Sequence, residues 1–181
     1  LATLFPYTTL FRSRIHVSEL IGKLILKPKK FHAAHNNMFD NLVARFDPYM
    51  GIGNKTIPAQ YIETMYLAYC LDETGPQGLK ELTNLWSDLG NYESELDEWK
   101  VANKWSSSKN NYGDIPLDIL GKYGCYDAVA VPRLEKALLK MLQDCKAGDQ
   151  TEIATKLMTE QLRGLEMAAY NGQCLDEKTV R

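Results

Sequence analysis

Histidine is scarce in this chain of 181 residues: His16, His32 and His35 are all there are. No HxxxH or HExxH arrangement occurs among them, which removes the usual histidine-based metal sites. Cysteine is little commoner, and Cys70, Cys125, Cys145 and Cys174 include no CxxC pair. That excludes a zinc ribbon and supplies no disulfide framework, so buried free thiols in a reducing compartment, the cytoplasm, are expected. No apolar run approaches the roughly 20 residues of a membrane span, and no membrane partner is expected. An excess of either charge is also missing, since 21 Lys and Arg against 23 Asp and Glu leave a net charge of -2. A global basic field is thereby excluded, and any nucleic-acid contact has to be local. There is no GxSxG elbow, Walker loop or GxGxxG, and Gly51-Ile52-Gly53 reads as a turn.

The residues present are those of a folded protein, with 45% hydrophobic and 24% charged. Leu1 to Ser13 fits neither helix nor strand well, with Pro6 interrupting its apolar run. Thr3 to Ser13 resembles the translation of a sequencing-library adapter, and residues 1–13 are set apart on that ground. Ser18 is expected to cap a helix to about Leu26, with Leu20, Ile21, Leu24 and Ile25 on one face and Pro28 beyond its end. Phe31 to His35 reads as a short buried strand. From Asn37 the period becomes helical, and Phe39, Leu42, Val43 and Phe46 form the predicted core stripe. Thr56 to Glu63 stays ambiguous between strand and helix start.

Further helices are expected with Met65, Tyr66, Tyr69 and Cys70 on one side, and with Leu79, Leu82, Leu85 and Trp86. Residues 91–111 read as a partly irregular excursion. A long helical stretch from about Leu117 to Cys145 follows, with possible breaks at Gly121, Gly124 and Pro132. Lys146 to Asp149 reads as a linker before a last helix carrying Ile153, Leu157, Met158, Leu162 and Leu165. Short strands among amphipathic helices favour an α/β layer architecture.

Two carboxylates are distinguished by their neighbours. Asn36 and Asp40 are four apart at a strand-to-helix junction, and Tyr123 and Asp127 are four apart on a helix, so each pair can share a face. Ala128, Val131, Leu134, Leu138 and Met141 follow as a stripe expected to hold that helix against a sheet. A single Asp near a helix start is most often a capping residue. Two such sites together could hold divalent cations over a phosphodiester, because hard cations take oxygen ligands.

These residues resemble the proofreading 3′–5′ exonuclease domain of family A DNA polymerases. His35, Asn36, Phe39 and Asp40 match its second motif, and Tyr123 and Asp127 its third. Between them, Glu63-Thr64-Met65 with Ala68 to Asp72, and Leu79 to Leu82, resemble intervening segments. Asn171-Gly172 with Leu175-Asp176 is similar to the start of the polymerase module. The resemblance runs from about Val17 to Arg181. It implies a partial exonuclease domain over residues 14–148, the start of a polymerase module over 149–181, and an RNase H-like α/β fold with its first strands missing.

The resemblance also implies two-metal hydrolysis, with Mg²⁺ or Mn²⁺, of the 3′-terminal phosphodiester of single-stranded DNA. Asp127 would bind the cation that carries the water and Tyr123 would orient that water. Asp40 would support the second cation, and Asn36 would position substrate. Two departures stand out. Glu63 replaces the family's Asp at a position read as structural. The Asp-x-Glu pair of the first motif occurs nowhere in this sequence, so little activity is expected of this chain alone. A degenerate scaffold or DNA-binding module, and a related stand-alone exoribonuclease, are the alternatives. Trp99, Trp105 and Tyr112 with Lys100, Lys104 and Lys109 could form a single-strand stacking edge, with a loop of buried aromatics as the plainer reading.

Overall fold

The computed structural model describes residues 5–27, 31–57, 60–146 and 148–172. In chain order the elements are α1 (Phe5–Ile25), β1 (Phe31–Ala34), α2 (Asn37–Phe46), β2 (Gln60–Glu63), α3 (Thr64–Leu71), α4 (Leu79–Trp86) and α5 (Ser94–Ala102). A 3₁₀ turn (Tyr112–Asp114), α6 (Leu117–Asp144), α7 (Gly148–Glu152), a π turn (Ile153–Leu157) and α8 (Met158–Asn171) follow. The two strands pair in parallel with α2 between them in sequence, so a small βαβ element sits in a largely helical chain. Pro28 and the Leu175-Asp176 part of the expected C-terminal motif lie outside the described residues.

The chain folds as two compact units. One comprises residues 1–32, 36–62 and 156–181, and the other 33–35 and 63–155.

In the first unit, α1 begins thirteen residues before the expected start. Pro6 falls in the first turn, where its missing N–H has no helical acceptor to serve. Ser18 is therefore a mid-helix residue and not a cap; it is buried and its hydroxyl donates to Asp47 Oδ2 at 3.4 Å. The expected apolar face is wrong as well, because Leu20, Ile21 and Leu24 are exposed. Ser18 and Gly22, one turn apart, face inward instead. A Cβ at Gly22 would lie 2.0 Å from the Met50 carbonyl oxygen, so only glycine permits that approach.

Helix α2 also turns the other way from its expected stripe. Phe39 and Phe46 are 64% and 65% exposed and Val43 is exposed with them, while Asn37, Asn41, Ala44 and Arg45 are buried. The reason is a polar network centred on Glu166 of α8. Arg45 Nε donates to Glu166 Oε1 at 2.5 Å, and Asn41 Nδ2 donates to Oε2 at 2.7 Å. Arg45 Nη1 also donates to the carbonyls of Gly53 and Lys55 at 2.6 and 2.9 Å. A buried charge is tolerated only when paired and bonded in this way.

The second unit is organised on α6. Its buried stripe is Ala130, Leu134, Leu138 and Leu142, and α3, α4, α5 and α7 pack against it. Helices, and not the expected sheet, receive this stripe. Leu67 and Ala68 of α3, Leu82 of α4 and Leu96 of α5 are buried in the same unit. On α3 the buried residues are Thr64, Leu67 and Ala68, whereas Tyr69, from the side that carries Met65, Tyr66 and Cys70, is exposed. Leu85 and Trp86 of α4 are likewise exposed. Glu63 is buried at the N-cap of α3, where its carboxylate accepts from the Met65 N–H at 3.4 Å, a structural role as expected. Cys125 and Cys145 are exposed free thiols, so the expectation of burial fails for both.

Candidate functional site

Helical spacing explains why Tyr123 and Asp127 meet. Counting back from Leu134 and Ala130 by three or four residues gives Asp127 and then Tyr123, so both continue the buried stripe of α6 toward its N-terminus. The stripe is no longer fully covered there, and both side chains are half-buried. Burial first, and then the Asp127 carboxylate one turn along the helix, raises the Tyr123 phenol well above the usual tyrosine range.

A phenol from outside the helix bonds that carboxylate. Tyr92, in the turn before α5, donates to Asp127 Oδ1 at 2.7 Å. Burial first, then this bond, pushes Tyr92 upward too. Its ring stacks on Tyr123 with centroids 6.4 Å apart and on Tyr126 at 5.8 Å. Sequence reading missed Tyr92 because nothing local marks it; it precedes Asp127 by 35 residues. His35 also lies within electrostatic reach of Asp127 and Glu81.

Asn36 and Asp40 belong to the other unit and are not joined by a common helical face. Asn36 is the N-cap of α2, with φ at 56° in the left-handed region that Asn tolerates, so helical periodicity does not direct its side chain. Asp40 is exposed in the first turn of α2, where a carboxylate suits the helix dipole. Enough protein surrounds its carboxyl to raise the pKa by desolvation.

The oxygen donors of Asp127 suit a hard cation such as Mg²⁺ in type. In number they fall short of two cations. The Asp127 carboxylate already accepts from Tyr92, and no group of three or more His, Cys, Asp or Glu able to hold a metal occurs among the described residues. Also among the described residues, no helix is long and apolar enough to cross a membrane.

Over 86 residues the chain is 36% identical to a DNA polymerase of Escherichia phage T5, which covers 45% of this chain. The chain spans only 10% of that protein's length. No family model matches, and no solved structure matches. The identity relates this chain to a DNA polymerase.

Proposed function

We propose that this chain is part of the 3′–5′ proofreading exonuclease of a family A type DNA polymerase, with Asp127 as its acidic centre. The observation that carries the reading is the Tyr123–Asp127 pair, both half-buried and one turn apart on α6, in a chain related to a DNA polymerase. An RNase H-like arrangement, a 3′ single-stranded DNA end as substrate and residues 149–181 as the start of the polymerase module belong to the same proposal.

The chemistry that Mg²⁺ or Mn²⁺ supplies in such a reaction is activation of water and neutralisation of phosphodiester charge. Asp127 would be the anionic oxygen donor to that cation. Tyr123, kept protonated by burial and by the nearby Asp127 carboxylate, has one O–H, which can orient a water only where it is not given to Asp127; its oxygen can accept from a water in either case. Asp40 is proposed as a further carboxylate for cation support and Asn36 as a group that positions substrate.

The test is release of nucleotide monophosphates from a labelled 3′ end by the full-length polymerase. Asp127→Ala should reduce release on the order of 100-fold, the scale of lost metal support, with polymerisation kept. Asp40→Asn tests the second carboxylate separately. Unchanged release rejects the corresponding assignment.

A second reading, a non-catalytic scaffold or DNA-binding module, is favoured by one observation: Tyr92 donates to Asp127 Oδ1 at 2.7 Å and so occupies an oxygen that a cation would need. Strand binding without any release by the full-length protein would decide for it. Release from RNA and not from DNA would point instead to an exoribonuclease.

A further inference from the structure

The segment after α5 places aromatic and basic side chains together in a defined geometry. Trp105 and Tyr112 meet edge to face with centroids 5.0 Å apart. Lys100, in the last turn of α5, sets its ammonium 5.3 Å from the Trp105 ring and 5.7 Å from the Tyr112 ring. Backbone and side-chain bonds fix the loop that carries the rings. Trp105 Nε1 donates to the Asn111 carbonyl at 3.2 Å, and the Ser106 N–H donates to Asn110 Oδ1 at 3.1 Å. Across the 3₁₀ turn the Gly113 N–H donates to Asn111 Oδ1 at 3.0 Å, and the Asn111 N–H donates to Asp114 Oδ2 at 2.9 Å. Despite this order the rings are not hidden: Tyr112 is 49% exposed and Trp105 is only half-buried. A cluster built for a core would cover its rings.

Lys100 stands beside the rings, with Lys104 and Lys109 on the same segment, and most of the acidic groups just before them are matched elsewhere. Lys80 binds Glu93 at 2.8 Å and Asp97 at 2.7 Å, and Lys122 pairs with Glu95. Three of the acidic groups of residues 93–98 are thus matched by lysines elsewhere. Lys100, Lys104 and Lys109 form no ion pair among the described residues. Aromatic rings beside unmatched cations are the components of a single-strand binding surface: rings stack bases whatever their sequence, and lysines meet phosphates.

The cluster also lies within electrostatic reach of the Asp127 site. Tyr112 lies within electrostatic reach of Tyr123, and Tyr123 stacks on Tyr92, which stacks on Tyr126. Ring contacts run from Trp105 to Tyr112 and, separately, from Tyr123 through Tyr92 to Tyr126, and Tyr92 donates to Asp127.

We propose that Trp105, Tyr112 and Lys100 form a stacking platform for single-stranded DNA, with Lys104 and Lys109 contacting its phosphates and the 3′ end leading toward Asp127. The direction of the strand rests on the proposed exonuclease function; the platform itself does not.

The experiment measures binding of a fluorescent oligothymidylate to the 181-residue chain, in chelator so that no hydrolysis intervenes. Trp105→Ala is expected to weaken binding roughly 5- to 100-fold, the range for loss of one stacked base. Trp105→Phe, which keeps a stacking ring, should stay within about threefold of the parent chain. Lys104→Gln and Lys109→Gln should each lower the slope of log affinity against log salt by about 0.7.

Two results overturn the platform: no binding by the parent chain, or equal binding by Trp105→Ala with unchanged circular dichroism. Equal loss in Trp105→Ala and Trp105→Phe overturns it as well, because that marks a fold requirement and not stacking. The two proposals separate cleanly. Loss in Trp105→Ala alone, with release unaffected by Asp127→Ala in the full-length enzyme, keeps the platform and rejects the exonuclease centre.

Discussion

The hydroxyl of Thr64 has one proton to give, and it gives it to the Ala34 carbonyl at 3.0 Å. His35 Nδ1, 2.9 Å from the same oxygen, is therefore the donor in its contact with Thr64, which leaves Nε2 to hold or lose the titrating proton. Burial lowers the His35 pKa from its ordinary 6.5, against the opposing pull of the Gln77 carbonyl and the charges of Asp127 and Glu81. A lowered histidine favours the neutral folded state. Its contribution to stability is complete above the unfolded value and is lost as pH falls below about 6.5 toward the folded value. The urea midpoint of the chain should fall on acidification through that range, and His35→Gln should flatten the fall. An equal fall in the variant would show that other groups carry the acid sensitivity. At this scale the Tyr123–Asp127 pair was legible because four residues of helix set it, whereas Tyr92 was not, because only packing brings it there.

Among the elements, α6 shows how magnitudes settle competing local signals. Gly121 and Gly124 each oppose a helix by about 1 kcal/mol and Pro132 by about 3 kcal/mol. Leu134, Leu138 and Leu142 are each fully buried by it and are worth about 1.5–3 kcal/mol apiece, so the helix runs unbroken from Leu117 to Asp144. Its start and end were readable from periodicity; the survival of its interior depended on what packs against it. In α2 the helix itself was legible and its inward face was not. Periodicity reports where apolar residues lie, while Arg45 and Asn41 found a buried partner in Glu166, 121 and 125 residues away. The Arg45 and Glu166 side chains are each only 3% exposed. Glu166→Gln should therefore cost about 3–5 kcal/mol in urea unfolding by stranding the guanidinium. Arg45→Met combined with Glu166→Leu should cost clearly less, since no charge is left buried alone. Equal losses in the single and double variants would show that the network contributes packing and not charge compensation.

For the whole molecule, exposed apolar surface is the main consequence of these inversions, although Phe46 keeps a ring contact with Tyr170 at 5.0 Å. Val17, Leu20 and Leu24 on α1 and Phe39, Val43 and Phe46 on α2 all face solvent. Surface of this kind binds hydrophobic dyes and promotes self-association. The chain should enhance the fluorescence of anilinonaphthalene sulfonate while folded. Phe39→Ser with Val43→Ser should reduce that signal and shift stability by only about 0.5 kcal/mol per site, because neither side chain is buried. An unchanged signal would place the dye-binding surface elsewhere.

The order of residues along the chain determined most helix positions, the first strand, the capping role of Glu63 and the Tyr123–Asp127 pair. Each depends on neighbours within a few residues, where spacing and backbone preference act directly. Tertiary structure decided which face of α2 turns inward, that helices and not a sheet cover α6, and that Tyr92 joins Asp127. It also decided that Lys80 and Lys122 neutralise the acids before Trp105. These outcomes depend on which distant partner relieves the cost of burying a charge or an unsatisfied donor, and no local pattern records that partner.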